Sequence, residues 1–447
     1  MTYALPDSKL PMFFLYNLLL VIGFLLFLPR FLFQKKYAAS FRQRLGSLPD
    51  FENGGSPVVW LHCVSVGETQ AARPLVRQLR EKYPEYKLVV STTTLTGQTL
   101  AREIFKTEAA FVFYFPFDFR FTVRRALRKI NPSVVLLMET EIWFNFLREA
   151  AKSGAKIAIV NGRLSEKSAR RYGWIRKNIR RVLRFVDLAL MQGEADAKRL
   201  IGLGIRNSKV KITGNLKFDQ PFDPAESELT KIFRERFDIS NDAPLIVAAS
   251  THAPEERWIL EAFKTVYKNS ADKLPRLMLV PRHPERFEEV AELIGRTGFE
   301  WTRRSAAASN RDRAAEIILL DSVGELRAVF PLAEIVFVGG SLIPHGGQNV
   351  LEPAAARRAV VTGFYTMNFA AIVREFLEKD ALIQLPKLAE NEISAKLADV
   401  FTELLQNAER RTELAENAFA VLQANRGATT KTIEYLKPLF EPQKSER

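Results

Sequence analysis

Short apolar runs alternate with amphipathic segments along most of this chain, and that alternation constrains its fold more than any other feature. An apolar run too short for a buried helix, followed by a helix with one apolar face, is the sequence form of a βαβ unit. The strand candidates are Val58–Val64, Tyr86–Val90, Val134–Met138, Ile157–Val160 and Leu188–Gln192. Between them lie helix candidates such as Ala71–Lys82, with Leu75 and Leu79 on one face, and Phe121–Lys129. From Gly214 to Glu226 apolar residues become sparse, and Pro221 and Pro224 mark an interdomain linker. The rhythm then restarts with Leu245–Ala249, Leu277–Val280, Ile317–Leu320, Ile335–Val338 and Ala359–Thr362. Two doubly wound α/β domains follow from this pattern. Helical periodicity from Glu390 to Leu436 lets a late helix cross back to the first domain. The expected divisions are an anchor over 1–35, a first Rossmann-like domain over 36–218, a second over 219–425, and a closing helix and tail over 426–447.

The anchor rests on the apolar stretch Met12 to Leu28, broken by Asn17 and closed by Pro29-Arg30. About 20 helical residues cross the ~30 Å hydrocarbon layer, so the Leu10–Phe33 region just reaches spanning length and fits equally well lying in the interface. Its positive charge argues against a cleaved signal peptide. Only Lys9 precedes the run, offset by Asp7, whereas Arg30, Lys35, Lys36, Arg42 and Arg44 follow it. That asymmetry keeps the rest of the chain in the cytoplasm.

The chain carries 65 Lys+Arg against 51 Asp+Glu, a net charge of +14, which calls for an anionic partner. A nucleic acid is disfavoured, because the aromatics are spread through apolar runs and no recognition module appears. An anionic membrane surface or a phosphorylated substrate remains. The single cysteine, Cys63, excludes an intramolecular disulfide framework and a multi-cysteine zinc site, and its apolar surroundings read as a buried structural thiol.

Open parallel sheets bind ligands outside the carboxyl ends of their strands, and the polar motifs fall there. In the first domain these are Ser65-Val66-Gly67-Glu68, Ser91-Thr92-Thr93-Thr94, Glu139-Thr140-Glu141 and Asn161-Gly162-Arg163. In the second they are Ser250-Thr251-His252, Arg282-His283-Pro284-Glu285-Arg286, Gly339-Gly340-Ser341 and His345-Gly346-Gly347-Gln348-Asn349. Any one of them reads as a helix cap, but so many from both domains point to a shared cleft. Gly346 and Gly347 allow close backbone approach, and a helix expected over Asn349–Arg358 would aim its N–H groups at a phosphate. Glu352, early in that helix, could reach a sugar hydroxyl. Glu68 enters a helix whose N-terminus should lower its pKa, so it is expected to be ionised at pH 7 and to serve as a general base. Glu139 and Glu141 read as structural or acceptor contacts rather than a metal pair. No Asp-x-Asp pair or Walker pattern is present, which demotes metal-dependent transfer and P-loop hydrolysis.

Six segments taken together resemble the 3-deoxy-D-manno-octulosonic acid (Kdo) transferase family. They are His62–Glu68, Met138–Trp143, Asn161–Ser165, Gly214–Asp219, Leu279–Arg286 and Gly339–Ser341, and the resemblance runs from about Phe41 to the final helix. It implies a GT-B fold of two Rossmann-like domains facing a cleft, preceded by a membrane-anchor helix. It further implies an inverting, metal-independent glycosyltransferase with no cofactor, moving Kdo from CMP-Kdo to a lipid A precursor (lipid IVA) in lipopolysaccharide biosynthesis. The site would be the cytoplasmic face of a Gram-negative inner membrane. Glu68 matches the family's base and Arg282 its donor-binding arginine. The other donor contacts expected are Lys217, Ser250, Thr251, His252, His283, Gly340, Ser341, Gly346, Gly347, Asn349 and Glu352. Ser65, Gly67, Thr93, Glu139, Glu141 and Arg163 are expected at the acceptor. The chain departs from the family pattern at Phe144, Gln348 and Phe364, which puts nucleotide contacts in question but not the reaction. The competing readings are a GT-B-like sugar-nucleotide epimerase and a membrane-associated nucleotide-sugar-binding protein.

Overall fold

A computed structural model describes residues 11–33, 35–220, 227–239, 243–270 and 273–441. The expectations resting on Pro221 and Pro224 lie outside the described residues. The chain forms two compact units, one of Met1–Pro221 with Asn425–Arg447 and one of Phe222–Ala424.

The first unit holds a parallel sheet of β1 (Val58–Cys63), β2 (Lys87–Thr92), β3 (Phe111–Tyr114), β4 (Val134–Met138), β5 (Lys156–Gly162), β6 (Leu188–Met191) and β7 (Val210–Ile212). Their order is β3-β2-β1-β4-β5-β6-β7. Side chains alternate between two buried cores, with Val58 and Trp60 in one and Val59, Leu61 and Cys63 in the other. Strands buried on both faces lose the polar alternation of a surface strand, which is why these appear as continuous apolar runs.

The second unit repeats the architecture with β8 (Leu245–Thr251), β9 (Arg276–Pro281), β10 (Trp301–Arg303), β11 (Ile317–Leu319), β12 (Ile335–Val338), β13 (Ala359–Thr362) and β14 (Ile383–Gln384). The order is β10-β11-β9-β8-β12-β13-β14, again all parallel. The strands that sequence reasoning missed are β3, β7, β10 and β14, the outer strands of the two sheets. Three of them, β7, β10 and β14, are short and partly uncovered, as in β10, where all three residues are half-buried, and leave no apolar run to read, whereas β3 is an apolar run, Phe111–Tyr114, that was passed over.

Two helix expectations need correction. Ala71–Lys82 is two helices, Val66–Ala71 and Arg73–Lys82, because Pro74 has no N–H to continue the first and suits the opening turn of the second. The long C-terminal periodicity is three helices, Glu390–Gln406, Ala408–Ala424 and Ala428–Phe440. The last packs on the first unit, where the Phe440 ring stacks 4.2 Å from Tyr83 and its carbonyl accepts from Tyr86 Oη.

The N-terminal helix Pro11–Phe33 lies against the first unit. Tyr16 Oη donates to Asp118 at 2.6 Å, and Asn145 Nδ2 donates to Asn17 Oδ1 at 2.8 Å. Phe144, one of the departures from the family pattern, stacks 4.7 Å from Tyr16 and so helps dock this helix. Phe14, Leu15, Leu18, Leu25 and Leu26 are exposed. No helix among the described residues is long and apolar enough to cross a membrane. At 1.5 Å per residue, Met12–Leu28 covers only ~25 Å, and its polar residues are hydrogen-bonded to the protein. Of the two readings left open for this segment, the spanning one is not supported.

Candidate functional site

Each sheet reverses its winding between two neighbouring strands, β1 and β4 in the first unit and β8 and β12 in the second. The loops leaving those strands diverge to opposite faces and open a crevice at the strand ends. Most of the expected polar residues lie at these two points.

In the first unit Ser65 caps the helix Val66–Ala71 and is tied to Glu68 from both directions. Its Oγ accepts from Glu68 N at 3.4 Å and donates to Glu68 Oε1 at 3.0 Å, while Val64 N donates to Glu68 Oε2 at 2.7 Å. This is a reciprocal cap, and it fixes the carboxyl group in one orientation. Gly67 has room for a side chain, since an added Cβ would meet only Ser65 Oγ, at 3.9 Å. From β4 the chain enters Glu139 in the left-handed region, φ 55°, and continues to Glu141.

Two of these carboxyls, Glu68 and Glu141, titrate above the usual range. Burial first, then the charge of Glu139 and more weakly that of Glu141, pushes Glu68 up to about 8, against the opposing hydrogen bonds from Val64 N–H and Ser65. Burial and Glu139 push Glu141 up to about 7, against the Trp143 indole. The expectation that Glu68 is ionised at pH 7 is therefore corrected: desolvation and neighbouring negative charge outweigh a helix of one and a half turns. Lys217, expected at the donor, lies in the first unit within electrostatic reach of Glu139, Glu68 and Arg163, and burial lowers its pKa. Thr93 donates its N–H to Val64 O at 3.3 Å, accepts from Arg44 at its carbonyl, and keeps Oγ1 buried without a partner. Sequence reasoning counted Arg44 only as charge beside the anchor. Its place against the Thr93 loop depends on tertiary packing.

In the second unit three of the chain's four histidines gather. The His252 ring lies 5.2 Å from His283, edge-on, and 4.7 Å from His345. Burial, then His345, His283 and Arg282, lowers His252 to about 4, so it is neutral until an anion arrives. Ser250, at φ 56°, turns the chain into this cluster, and Thr251 Oγ1 is buried without a partner. Arg282 is exposed and has no ion-pair partner among the described residues.

Gly340 and Ser341 do not present their N–H groups outward. Glu255 Oε2 accepts from His252 N at 3.0 Å and Gly340 N at 2.7 Å, and Oε1 from Ser341 N and Leu342 N, each at 2.9 Å. Ser341 Oγ donates to Val338 O and accepts from Gly363 N, so this residue shapes the loop. Glu255 escaped sequence reasoning, although its place three residues past His252 carries the spacing of a helix-capping glutamate.

The expected helix Asn349–Arg358 is only Leu351–Ala355, because Arg357, at φ 55°, turns the chain directly into β13. Asn349 Oδ1 accepts from Leu351 N at 3.0 Å in the turn before the helix, and Glu352 is paired with Arg327 at 2.7 Å. Gly347 donates to Gly340 O, and Asn368 braces the Gly346 turn. So short a helix carries little dipole, which leaves Arg282 as the cationic group of this crevice, with the three histidine rings beside it. Gln348 approaches Gly340 and Phe364 is half-exposed beside Tyr365.

Comparison with known proteins follows the same lines. Residues 39–220 match a family described as 3-Deoxy-D-manno-octulosonic-acid transferase (kdotransferase). The chain is 35% identical to 3-deoxy-D-manno-octulosonic acid transferase of Haemophilus influenzae, covering 90% of this chain and 92% of that one. It is 32% identical to the enzyme of that name from Chlamydia trachomatis, covering 95% and 96%. Among solved structures, the UDP-GlcNAc 2-epimerase of Neisseria meningitidis aligns with a TM-score of 0.58 at 14% identity, over 86% of this chain and all of that one. At that identity the likeness concerns the fold alone.

Proposed function

The chain belongs to the 3-deoxy-D-manno-octulosonic acid transferase family, a glycosyltransferase family of GT-B fold, and on that premise we propose how its two crevices divide the work. CMP-Kdo is the donor and binds the second unit. Arg282, with His252, His283 and His345 around it, offsets the charge of the departing CMP phosphate. A lipid A precursor is the acceptor and binds the first unit. Glu68 takes the proton from its sugar hydroxyl as CMP leaves from the opposite face, giving inversion without a metal.

The observation that carries this reading is the state of Glu68. A carboxyl raised to about 8 is a stronger base than an ordinary glutamate, and its pKa lies near working pH, where general-base catalysis is most effective. About a tenth is ionised at pH 7. Glu139 and Glu141 hold it there, and Lys217 balances the charge of the cluster.

Attachment to the cytoplasmic face of the inner membrane is proposed to be monotopic. Its support is the exposed apolar side of the N-terminal helix, together with Trp174, 89% exposed among the exposed Arg170, Arg171, Arg176 and Lys177. Interfacial tryptophan flanked by basic residues suits an anionic leaflet at ~1 kcal/mol per cation.

The test is mass spectrometry of lipid products after supplying CMP-Kdo and a tetra-acylated lipid A precursor. Glu68→Gln should lower turnover by ~10²–10⁴ and leave CMP-Kdo affinity unchanged. Near-normal turnover would remove Glu68 as the base. Epimerised sugar nucleotide formed without acceptor would favour the competing enzyme class.

A further inference from the structure

The first unit contains a cavity of about 710 Å³ between the N-terminal helix and the ends of β2 and β3. Leu20, Gly23 and Phe24 of the helix form one wall, and Phe117 and Phe119 form another. Polar groups enter the lining at Arg44, where its guanidinium bonds the Thr93 carbonyl, and at the Thr93–Thr96 turn. Asp118 also reaches the wall, but Tyr16 Oη and the N–H groups of Asn145 and Phe146 take up its oxygens. The cation in the lining is the guanidinium of Arg44, which lies 5.0 Å from the Tyr114 ring.

This part of the lining adjoins the catalytic loop. Thr93 lines the cavity and donates its N–H to Val64 O, while Val64 N holds Glu68 Oε2 at 2.7 Å. Trp143, two residues beyond Glu141, completes the lining. The far wall is a helix whose other residues, Phe14, Leu18 and Leu26 among them, are exposed and apolar.

We propose that this cavity is an acyl-chain site, taking one hydrocarbon chain of an anionic glycolipid with its head group at Arg44 and Thr93. The proposal rests on the reading of the acceptor as a lipid and names the part of the protein that holds its tail. A ligand anchored there sets its sugar hydroxyl toward Glu68, so acceptor selection extends to chain length. The apolar walls suit a hydrocarbon and the volume falls within the ~300–1,000 Å³ range of ligand pockets.

Gly23 supplies the test. An added Cβ there meets nothing within 4 Å, so a side chain can grow into the cavity without backbone strain, and any residue but proline improves on glycine in a helix. Alkyl phosphates of increasing length, bound to the full chain held in amphipol, should gain about fourfold in affinity per methylene until the cavity fills, then plateau. In Gly23→Phe the plateau should come several carbons earlier, and in Gly23→Ala it should barely move. Diazirine-tipped dodecyl phosphate should label Leu20, Phe24 or Phe117. Affinity rising without a plateau, or label confined to Phe14, Leu18 and Leu26, would reduce the effect to surface adsorption and overturn the proposal. Because these measurements need no sugar donor, cavity labelling without Kdo transfer would count against the functional reading alone.

Discussion

Removing the Glu255 carboxylate is expected to destabilise the second unit more than removing any exposed donor residue. Its two oxygens satisfy four backbone N–H groups, of His252, Gly340, Ser341 and Leu342, and the side chain is fully buried. In Glu255→Ala those donors lose their acceptor in a place water does not reach easily. Each unsatisfied buried donor costs ~1–3 kcal/mol, so even the low end gives a loss of about 4 kcal/mol. A unit of this size loses ~2–4 °C of Tm per kcal/mol, giving a fall of roughly 8–16 °C. Glu255→Gln should be intermediate. Its amide oxygen can replace either carboxylate oxygen and keep two acceptor bonds, but its NH₂ then faces the other two donors, a loss of ~2–6 kcal/mol. The assay is thermal unfolding followed by circular dichroism, with CMP-Kdo affinity measured at a temperature where each variant is folded. Affinity should fall as well, because the same carboxylate sets the positions of His252 and Gly340 in the crevice. A Glu255→Ala protein melting within about 1 °C of the parent would refute the reasoning, since it would mean that the loop satisfies its own N–H groups.

Arg282→Ala should do the reverse, leaving Tm unchanged because Arg282 is exposed, yet weakening CMP-Kdo binding about tenfold or more in calorimetry. Activity should rise with pH along a limb with a midpoint near 8, set by Glu68, and Glu139→Gln should move that midpoint lower because the charge of Glu139 helps raise it. Stability should move the other way: the folded chain keeps a proton on Glu68 between about 4.5 and 8 that the unfolded chain releases, so the denaturant midpoint should decline across that window. Tyr16→Phe removes the hydrogen bond to buried Asp118 at a cost of ~1–3 kcal/mol, and should make the N-terminal helix more open to limited proteolysis.

The central strands were legible in the sequence because burial on both faces forces continuous apolar runs. Val134–Met138, Ile335–Val338 and Ala359–Thr362 fall where the runs place them. The same physics hid the outer strands β7, β10 and β14, whose half-covered residues need no such run, while β3 carries one in Phe111–Tyr114 and was legible but not read. The loops that leave the strands were also legible as polar motifs, and the structure places the Glu68 and His252 motifs where strand order reverses, between β1 and β4 and between β8 and β12. What lay beyond a sequence reading was what each polar atom does. Ser341 and Gly340 carry the look of ligand donors, yet a carboxylate more than eighty positions away takes up their N–H groups. Glu68 occupies a helix start that by itself would lower its pKa, yet Glu139 and burial reverse the shift. The N-terminal segment has an apolar content close to that of a spanning helix, but the buried Asp118 and Asn145 give Tyr16 and Asn17 partners within the first unit. Local sequence determines which residues prefer strand, helix or turn, because that preference is settled among near neighbours. Charge state, hydrogen-bond partner and the side on which a helix is buried depend on groups brought together from distant parts of the chain, and only the tertiary structure decides them.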